Sequence, residues 1–172
     1  MIKVDLNRCT GCGRCAVHCA FFHTGKINSR LSRIKVLNLY ESGVDGPVVC
    51  VQCRERYCLK CPEKALSIGP EGQIYVSPTR CTLCGACEIN CPIGAIEIFQ
   101  DIVYVCDLCG GRPRCVEACT EGAVIWEKGE SETVSLVEFR KTGAKKSPDH
   151  KRHDYLTKLG GELRKLWRSR HA

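Results

Sequence analysis

The sequence is short of large side chains: aromatic residues make up 6% of it, with two tryptophans, four phenylalanines and a single methionine. A chain this poor in bulky groups struggles to fill an ordinary core, and bound metal whose affinity doubles as folding free energy would fill the gap. No run of 18 apolar residues occurs, which excludes a membrane-spanning helix. The opening stretch MIKVDLNRC has no apolar h-region and no small-residue cleavage site, and no twin arginine precedes the first cysteine. The expected compartment is therefore the reducing cytosol (cytoplasmic), where dense cysteine points to metal rather than disulfides.

Cysteine is what the chain has in abundance: 16 of 172 residues, in four groups of four with none left over. Group one is Cys9, Cys12, Cys15 and Cys19; group two is Cys50, Cys53, Cys58 and Cys61. Group three is Cys81, Cys84, Cys87 and Cys91; group four is Cys106, Cys109, Cys115 and Cys119. Groups one and three have the bacterial ferredoxin spacing C-x2-C-x2-C-x3-C, in which three thiolates hold one [4Fe–4S] cube and the fourth reaches a second cube. Glycines such as Gly11, Gly13 and Gly85 allow the tight backbone path. Zinc uses isolated C-x2-C pairs and has no need of a third cysteine two residues on, so the spacing argues for iron.

Pairing of the groups follows from the linker. Between Cys61 and Cys81 the chain reads Cys-Pro, a strand (ALSI), a glycine turn and a second strand (QIYVS), the form of the segment inside a two-cluster ferredoxin. Groups two and three then make one unit, and groups one and four, by elimination, make a second wrapped around it. Neither Cys19 nor Cys119 is followed by proline, a feature those two groups share. The swap rule assigns cluster one to Cys9, Cys12, Cys15 and Cys119, and cluster two to Cys106, Cys109, Cys115 and Cys19. It assigns cluster three to Cys50, Cys53, Cys58 and Cys91, and cluster four to Cys81, Cys84, Cys87 and Cys61. Tandem pairing, one with two and three with four, is the alternative. Cys61 is the ligand least favoured by geometry, because CLKC is one residue short of the usual x3 spacing.

The fold class expected is α+β: two nested ferredoxin-like units built of β-hairpins and short helical turns, with a C-terminal amphipathic helix. One hairpin is expected from RIKVLNL through the turn signal ESGVDGP to GPVVCVQC, and another over residues 94–105 with its turn at Gln100–Asp101. GAVIWEKG and TVSLVEF read as further strand within residues 123–139. His23, Tyr57 and Trp126 read as packing residues, and His18 as a surface residue that tunes potential. Arg112 and Arg114, in the GGRPR loop, could put positive charge near cluster two or meet a partner.

The division expected is 1–139 for the four-cluster body and 140–172 for a basic tail. Residues 140–172 carry 11 Lys and Arg against 3 Asp and Glu, a net of +8, while residues 1–139 sum to −1. Each ligated [4Fe–4S]²⁺ core adds about −2, bringing the body to about −9. Ser147 is suited to the N-cap and Pro148 to the first turn of a helix whose apolar face is Tyr155, Leu156, Leu159, Leu163, Leu166 and Trp167. Lys158, Arg164, Lys165, Arg168 and Arg170 make its basic face, and Gly160–Gly161 are expected to weaken or kink it. Such a helix can pack on its own body, dock on another subunit, or associate with a second copy head-to-tail. No aromatic–basic recognition module accompanies it to argue for nucleic acid.

No nucleophile–base pair is legible and every cysteine is spoken for, so the chemistry expected is one-electron transfer without catalysis. The four motifs, in this order and with long gaps in the second and fourth, resemble the four-cluster electron-transfer subunits of molybdenum and tungsten oxidoreductases over about residues 3–126. The chain is most similar to the small iron–sulfur subunits of tungsten aldehyde oxidoreductases and the related tungsten benzoyl-CoA reductases. The resemblance implies a large tungsten- or molybdenum-pterin catalytic subunit, a flavin subunit that meets NAD or a ferredoxin, and a conceivable filament. The alternatives are a relay subunit of a formate dehydrogenase or hydrogenase complex, a free polyferredoxin, and an iron–sulfur protein that binds nucleic acid through its tail.

Overall fold

The structure is a computed structural model that describes residues 1–127, 134–143 and 145–171. Its strands form four separate two-stranded antiparallel sheets rather than one continuous sheet. In chain order the elements are β1 (Ile2–Val4), α1 (Arg14–Thr24), β2 (Lys35–Leu39), β3 (Val44–Val48), β4 (Leu66–Ile68) and β5 (Ile74–Val76). They continue with α2 (Ala86–Asn90), β6 (Glu97–Phe99), β7 (Ile102–Tyr104), α3 (Arg114–Glu117), β8 (Val124–Trp126), α4 (Val137–Gly143) and α5 (Pro148–His171).

Three hairpins lie where the residue pattern puts them. β4 pairs with β5, and β6 pairs with β7 across a two-residue turn. Gln100 and Asp101 both have positive φ, 49° and 58°, the backbone that a primed turn requires to match strand twist. β2 pairs with β3, four of whose five residues lie inside the stretch ESGVDGP expected to be turn, while residues 49–53, expected as strand, are irregular. Pro47 is tolerated in β3 because a two-stranded ribbon leaves an outer edge without ladder bonds.

The fourth sheet is the one that matters for topology. β1, too short to signal itself in sequence, pairs antiparallel with β8, Ile2 opposite Trp126 and Val4 opposite Val124. Ile2 is fully buried, and the Met1 ammonium donates to the Glu127 carbonyl at 2.6 Å. This pairing carries the segment after Val4 to the segment before Val124, and so brings group one beside group four. β4–β5 and β6–β7 meanwhile flank groups two and three. Two apolar clusters result: one around Ile74, Ile93, Ile96, Leu136 and Leu156, the other around Ile2, Ile34, Val49 and Leu108.

α1 is longer than a short turn. It is opened by Gly13 (φ 77°) and closed by Gly25 (φ 68°), whose N–H donates to the Phe21 carbonyl at 2.8 Å. Its buried face, Cys15, Ala16, Cys19 and Ala20, packs on α3.

The strand expected from TVSLVEF is not there. Residues 134–136 are irregular and Val137 begins α4; the ends of the two expected strand stretches, residues 128, 129 and 133, lie outside the described residues. Among the described residues this segment joins none of the four sheets. Instead the Glu55 carboxylate accepts from Ser135 Oγ at 2.5 Å and from the Leu136 N–H at 3.1 Å, the acceptor role that starts a helix. One helical turn then places Phe139 edge-on to Tyr155, with centroids 5.0 Å apart.

α5 begins as expected, with Ser147 Oγ accepting from the His150 N–H at 3.4 Å. Its buried stripe is Arg152, Leu156 and Gly160, spaced by four, rather than the leucine-rich face; Tyr155, Leu159 and Leu163 are half-buried, and Leu166 and Trp167 are exposed. Gly160 does not kink the helix, which runs unbroken to His171. The glycine permits contact, since a Cβ there would overlap Val44 on β3.

Candidate metal centres

The cysteine-bearing loops place each sulfur through backbone geometry that few residues adopt. Gly11 and Gly13 in group one, Gly85 in group three, and the sequence Leu108–Cys109–Gly110–Gly111 in group four all have positive φ. A side chain at Gly11 would strike Asp45 and Asn38, so the loop passes close under the β2–β3 hairpin.

Cys9, Cys12, Cys15 and Cys119 line one cavity, whose other walls include Gly11, Val36, Ala123 and Val124. Cys50, Cys53, Cys58 and Cys91 line a second, walled by Val51, Tyr57, Ile93, Ala95, Ile96 and Leu136. Cys115 neighbours Cys19 and Cys109 closely enough for their charges to couple, and Cys106 neighbours Cys115 and Cys19. Cys87 is likewise within electrostatic reach of Cys81 and Cys61. Cys61 thus sits beside group-three sulfurs although its spacing is short. Cys84 lies in the exposed turn before α2, following Leu83 at φ 57°. Two further proximities link these sets: Cys115 is near Cys15, and Cys106 is near Cys50.

Burial pushes the Cys15 and Cys50 thiols up to about 12 and the Cys87 thiol up to about 11. Burial also raises Cys9, Cys58, Cys91, Cys106, Cys109 and Cys115, with neighbouring sulfurs adding repulsion. Four converging sulfurs in an apolar wall are therefore unfavourable as free thiolates, and a polycation that displaces their protons removes the repulsion. Backbone amides already point at several of them: Arg33 N–H to Cys19 at 3.4 Å, Ala95 N–H to Cys91 at 3.2 Å and Ala123 N–H to Cys119 at 3.2 Å. Such N–H···S bonds stabilise negative charge on a ligated sulfur. The donor set is all-thiolate and fits iron–sulfur groups.

Two stretches match the family models for 4Fe-4S binding domains, residues 1–24 and 74–97, which hold groups one and three. The chain is 40% identical over 124 residues to the polyferredoxin-like subunit of aliphatic sulfonate oxidoreductase from Pyrococcus furiosus, covering 70% of this chain and 71% of that one. The chain belongs to the polyferredoxin-like 4Fe-4S proteins. Among its relatives, an Escherichia coli protein named as an electron transport protein, YsaA, is 35% identical over 138 residues, with 72% of this chain and 86% of that one covered. A ferredoxin of Methanocaldococcus jannaschii is 33% identical over 147 residues, covering 82% and 88%. The active-site complex BamBC of benzoyl-CoA reductase as isolated is a structural neighbour at 23% identity, covering 83% of this chain and 85% of that chain with a TM-score of 0.46. This polyferredoxin accordingly carries multiple [4Fe–4S] clusters, and its relatives bear the names of electron-transport proteins and oxidoreductase subunits. Among the described residues no helix is long and apolar enough to cross a membrane.

Several side chains near the sulfurs were not legible beforehand. His23, expected to serve packing, also lies with Nε2 3.5 Å from Cys109 Sγ and 3.5 Å from Asp107 Oδ1. Asp107 is held well by Arg33 at 2.5 Å, which keeps its carboxyl below the usual range against the opposing effect of burial. Arg114 stacks over the Phe22 ring at 5.0 Å and pairs with Glu117 at 2.7 Å; Arg112 lies on the exposed side of the same glutamate. His18 is exposed on α1. Lys151 and Arg152, unremarked in the sequence, are 2% and 1% exposed. The signal that could have found them is Asp149 at the helix start, three residues before Arg152, with Glu97 as a lone carboxylate in an apolar strand.

Proposed function

We propose that this polyferredoxin is the non-catalytic electron-relay subunit of an oxidoreductase complex, holding four [4Fe–4S] clusters on the ligand sets assigned above. When bound, such clusters accept and release single electrons with little rearrangement. The protein's own contribution is to space the sulfurs, dry their surroundings and point amide N–H groups at them.

Support comes chiefly from the proximity of Cys106 to Cys50, which joins the outer unit to the inner one. Cys15 beside Cys115 joins the two halves of the outer unit in the same way. The order that follows is cluster one, two, three, four. Cys12 and Cys84 are the exposed cysteines, and they belong to clusters one and four, the two ends of that order. Electrons would enter and leave there.

Partners follow from the resemblance: a large tungsten- or molybdenum-pterin subunit, with an aldehyde oxidoreductase as the favoured case, and a flavin subunit or ferredoxin at the other end. Residues 1–139 act as the relay and residues 140–172 join it to a neighbour through the outer part of α5, in the cytosol. Anaerobic purification of the native assembly, with identification of the co-purifying subunits and iron analysis, tests this. About 16 iron atoms per chain and a pterin-bearing large subunit are expected; eight or fewer, or a protein purified alone, contradicts it.

A further inference from the structure

The segment Glu88–Gly94, which carries Cys91, is gripped from outside by three cations of the C-terminal region. Lys151 donates to the Glu88 and Ile89 carbonyls at 3.1 and 2.8 Å. Arg152 donates to the Gly94 carbonyl at 2.8 Å, and its other nitrogen approaches the buried Glu97 at 3.3 Å. Arg140 donates to the Asn90 carbonyl at 2.9 Å and to its side-chain oxygen at 2.8 Å, while stacking over the Tyr57 ring at 4.7 Å. Tyr57 and Cys91 both line the cavity of the Cys50, Cys53 and Cys58 sulfurs.

Lys151 differs from Arg152. Arg152 meets the Glu97 and Asp149 carboxylates. Among the described residues the Lys151 ammonium donates only to carbonyl oxygens, and it is within electrostatic reach of the Cys91 sulfur and of the Glu88 carboxylate. Its charge is thus held at 2% exposure beside a ligand, where low dielectric magnifies Coulomb effects. Cys91 also accepts the Ala95 N–H at 3.2 Å, with the Ile93 and Ile96 amides near enough to favour its thiolate. Positive charge and amide donors on one sulfur favour the extra electron that reduction adds to the centre.

We infer that Lys151 is a positioning residue that sets the reduction potential of the centre on Cys50, Cys53, Cys58 and Cys91, making it the most easily reduced of the four. This rests on the ligand grouping proposed above. The C-terminal helix then has a function inside its own chain: it creates a resting place for the first electron that enters the relay, drawn from the partner reductant and passed on to the partner oxidant.

The experiment is an anaerobic redox titration of the full chain followed by electron paramagnetic resonance. Cys58→Ser and Cys91→Ser assign the centre. Both should alter the same signal, and that signal should be the first to appear as the wild-type protein is reduced. Lys151→Met should make that centre at least tenfold harder to reduce, about 59 mV for a one-electron couple, and shift the other three less. Lys151→Arg should restore it to within threefold. An unchanged midpoint in Lys151→Met, or a wild-type protein whose first-reduced centre is another one, overturns the inference; the latter needs no lysine variant to fold. If the two serine variants alter two different signals, the ligand grouping itself has failed, and Lys151 is judged on whichever centre Cys91→Ser alters.

Discussion

Two adjacent glycines in α5 should respond to alanine with opposite signs. In a helix interior alanine is favoured over glycine by about 1 kcal/mol. At Gly161 nothing lies within 4 Å of the added Cβ, so the gain is realised and Gly161→Ala should stabilise by about 0.5–1 kcal/mol. At Gly160 the added carbon would overlap Val44 Cγ2 and sit 3.1 Å from Val44 Cβ, and Val44 is itself only 7% exposed within the β2–β3 hairpin. A β-branched side chain has few rotamers to retreat into. Helix and hairpin must separate, at an overpacking cost of about 1–3 kcal/mol that exceeds the propensity gain. The net expected for Gly160→Ala is a loss of about 1 kcal/mol, so the two variants should differ by about 2 kcal/mol, or about 4–8 °C in Tm for a chain of this size. Anaerobic thermal melts of the iron-loaded protein at one scan rate, followed by circular dichroism, measure the difference. A Gly160→Ala variant that melts with or above Gly161→Ala would refute the reasoning, because it would mean that α5 does not rest on the hairpin in solution.

Leu156→Ala, at a position with no exposure, should cost about 2–5 kcal/mol and lower Tm even with iron bound. Cys61→Ser should remove or alter one cluster and bring iron from about 16 towards about 12 per chain; full iron and unchanged spectra would strike Cys61 from the ligand set. Asp149, whose hydrogen bond from Arg152 holds its carboxyl below the usual range, contributes stability above the unfolded aspartate pKa that is lost as pH falls through the folded one. The wild type should therefore lose more stability than Asp149→Asn on acidification from pH 7 into the range below about 4, measured as a difference in Tm between the two proteins.

The parts of the fold that were legible in sequence are those in which a local rule decides. The β6–β7 turn at Gln100–Asp101 follows from alternating apolar residues around two residues that accept positive φ, and Ser147–Pro148 starts a helix by capping chemistry alone. The sulfur groups were legible because ligand spacing is itself the signal. What escaped depends on partners distant in sequence. Three residues of β1 carry no periodicity, yet their pairing with β8 brings group one beside group four. TVSLVEF has the composition of a strand, but Glu55, some 80 residues earlier, supplies an acceptor that turns it into a helix. His23 reaches Cys109 only because α1 outruns its motif. Gly160 and Gly161 look alike in sequence and differ only through Val44.

The C-terminal charge also changes meaning once its members are placed. Summed over the sequence, a +8 tail beside a body that clusters would take to about −9 looks like an arm seeking an opposite charge. In the structure its cations divide. Arg140, Lys151 and Arg152 donate to carbonyls of the body segment that carries Cys91, and Arg152 also meets the Glu97 carboxylate. Lys146 meets Asp154, Lys158 meets Glu138, and Arg164 meets the Ser42 carbonyl. Beyond Arg164 the helix leaves the hairpin, and Lys165, Arg168 and Arg170 stand exposed with Leu166 and Trp167. The inner half is built like part of a core, where a buried charge acts strongly over short range, and the outer half like a surface, where salt screens it. The division falls near Gly160, where contact with Val44 holds the helix to the body; on the proposals made above, the inner end has a redox centre to tune and the outer end a neighbour to meet.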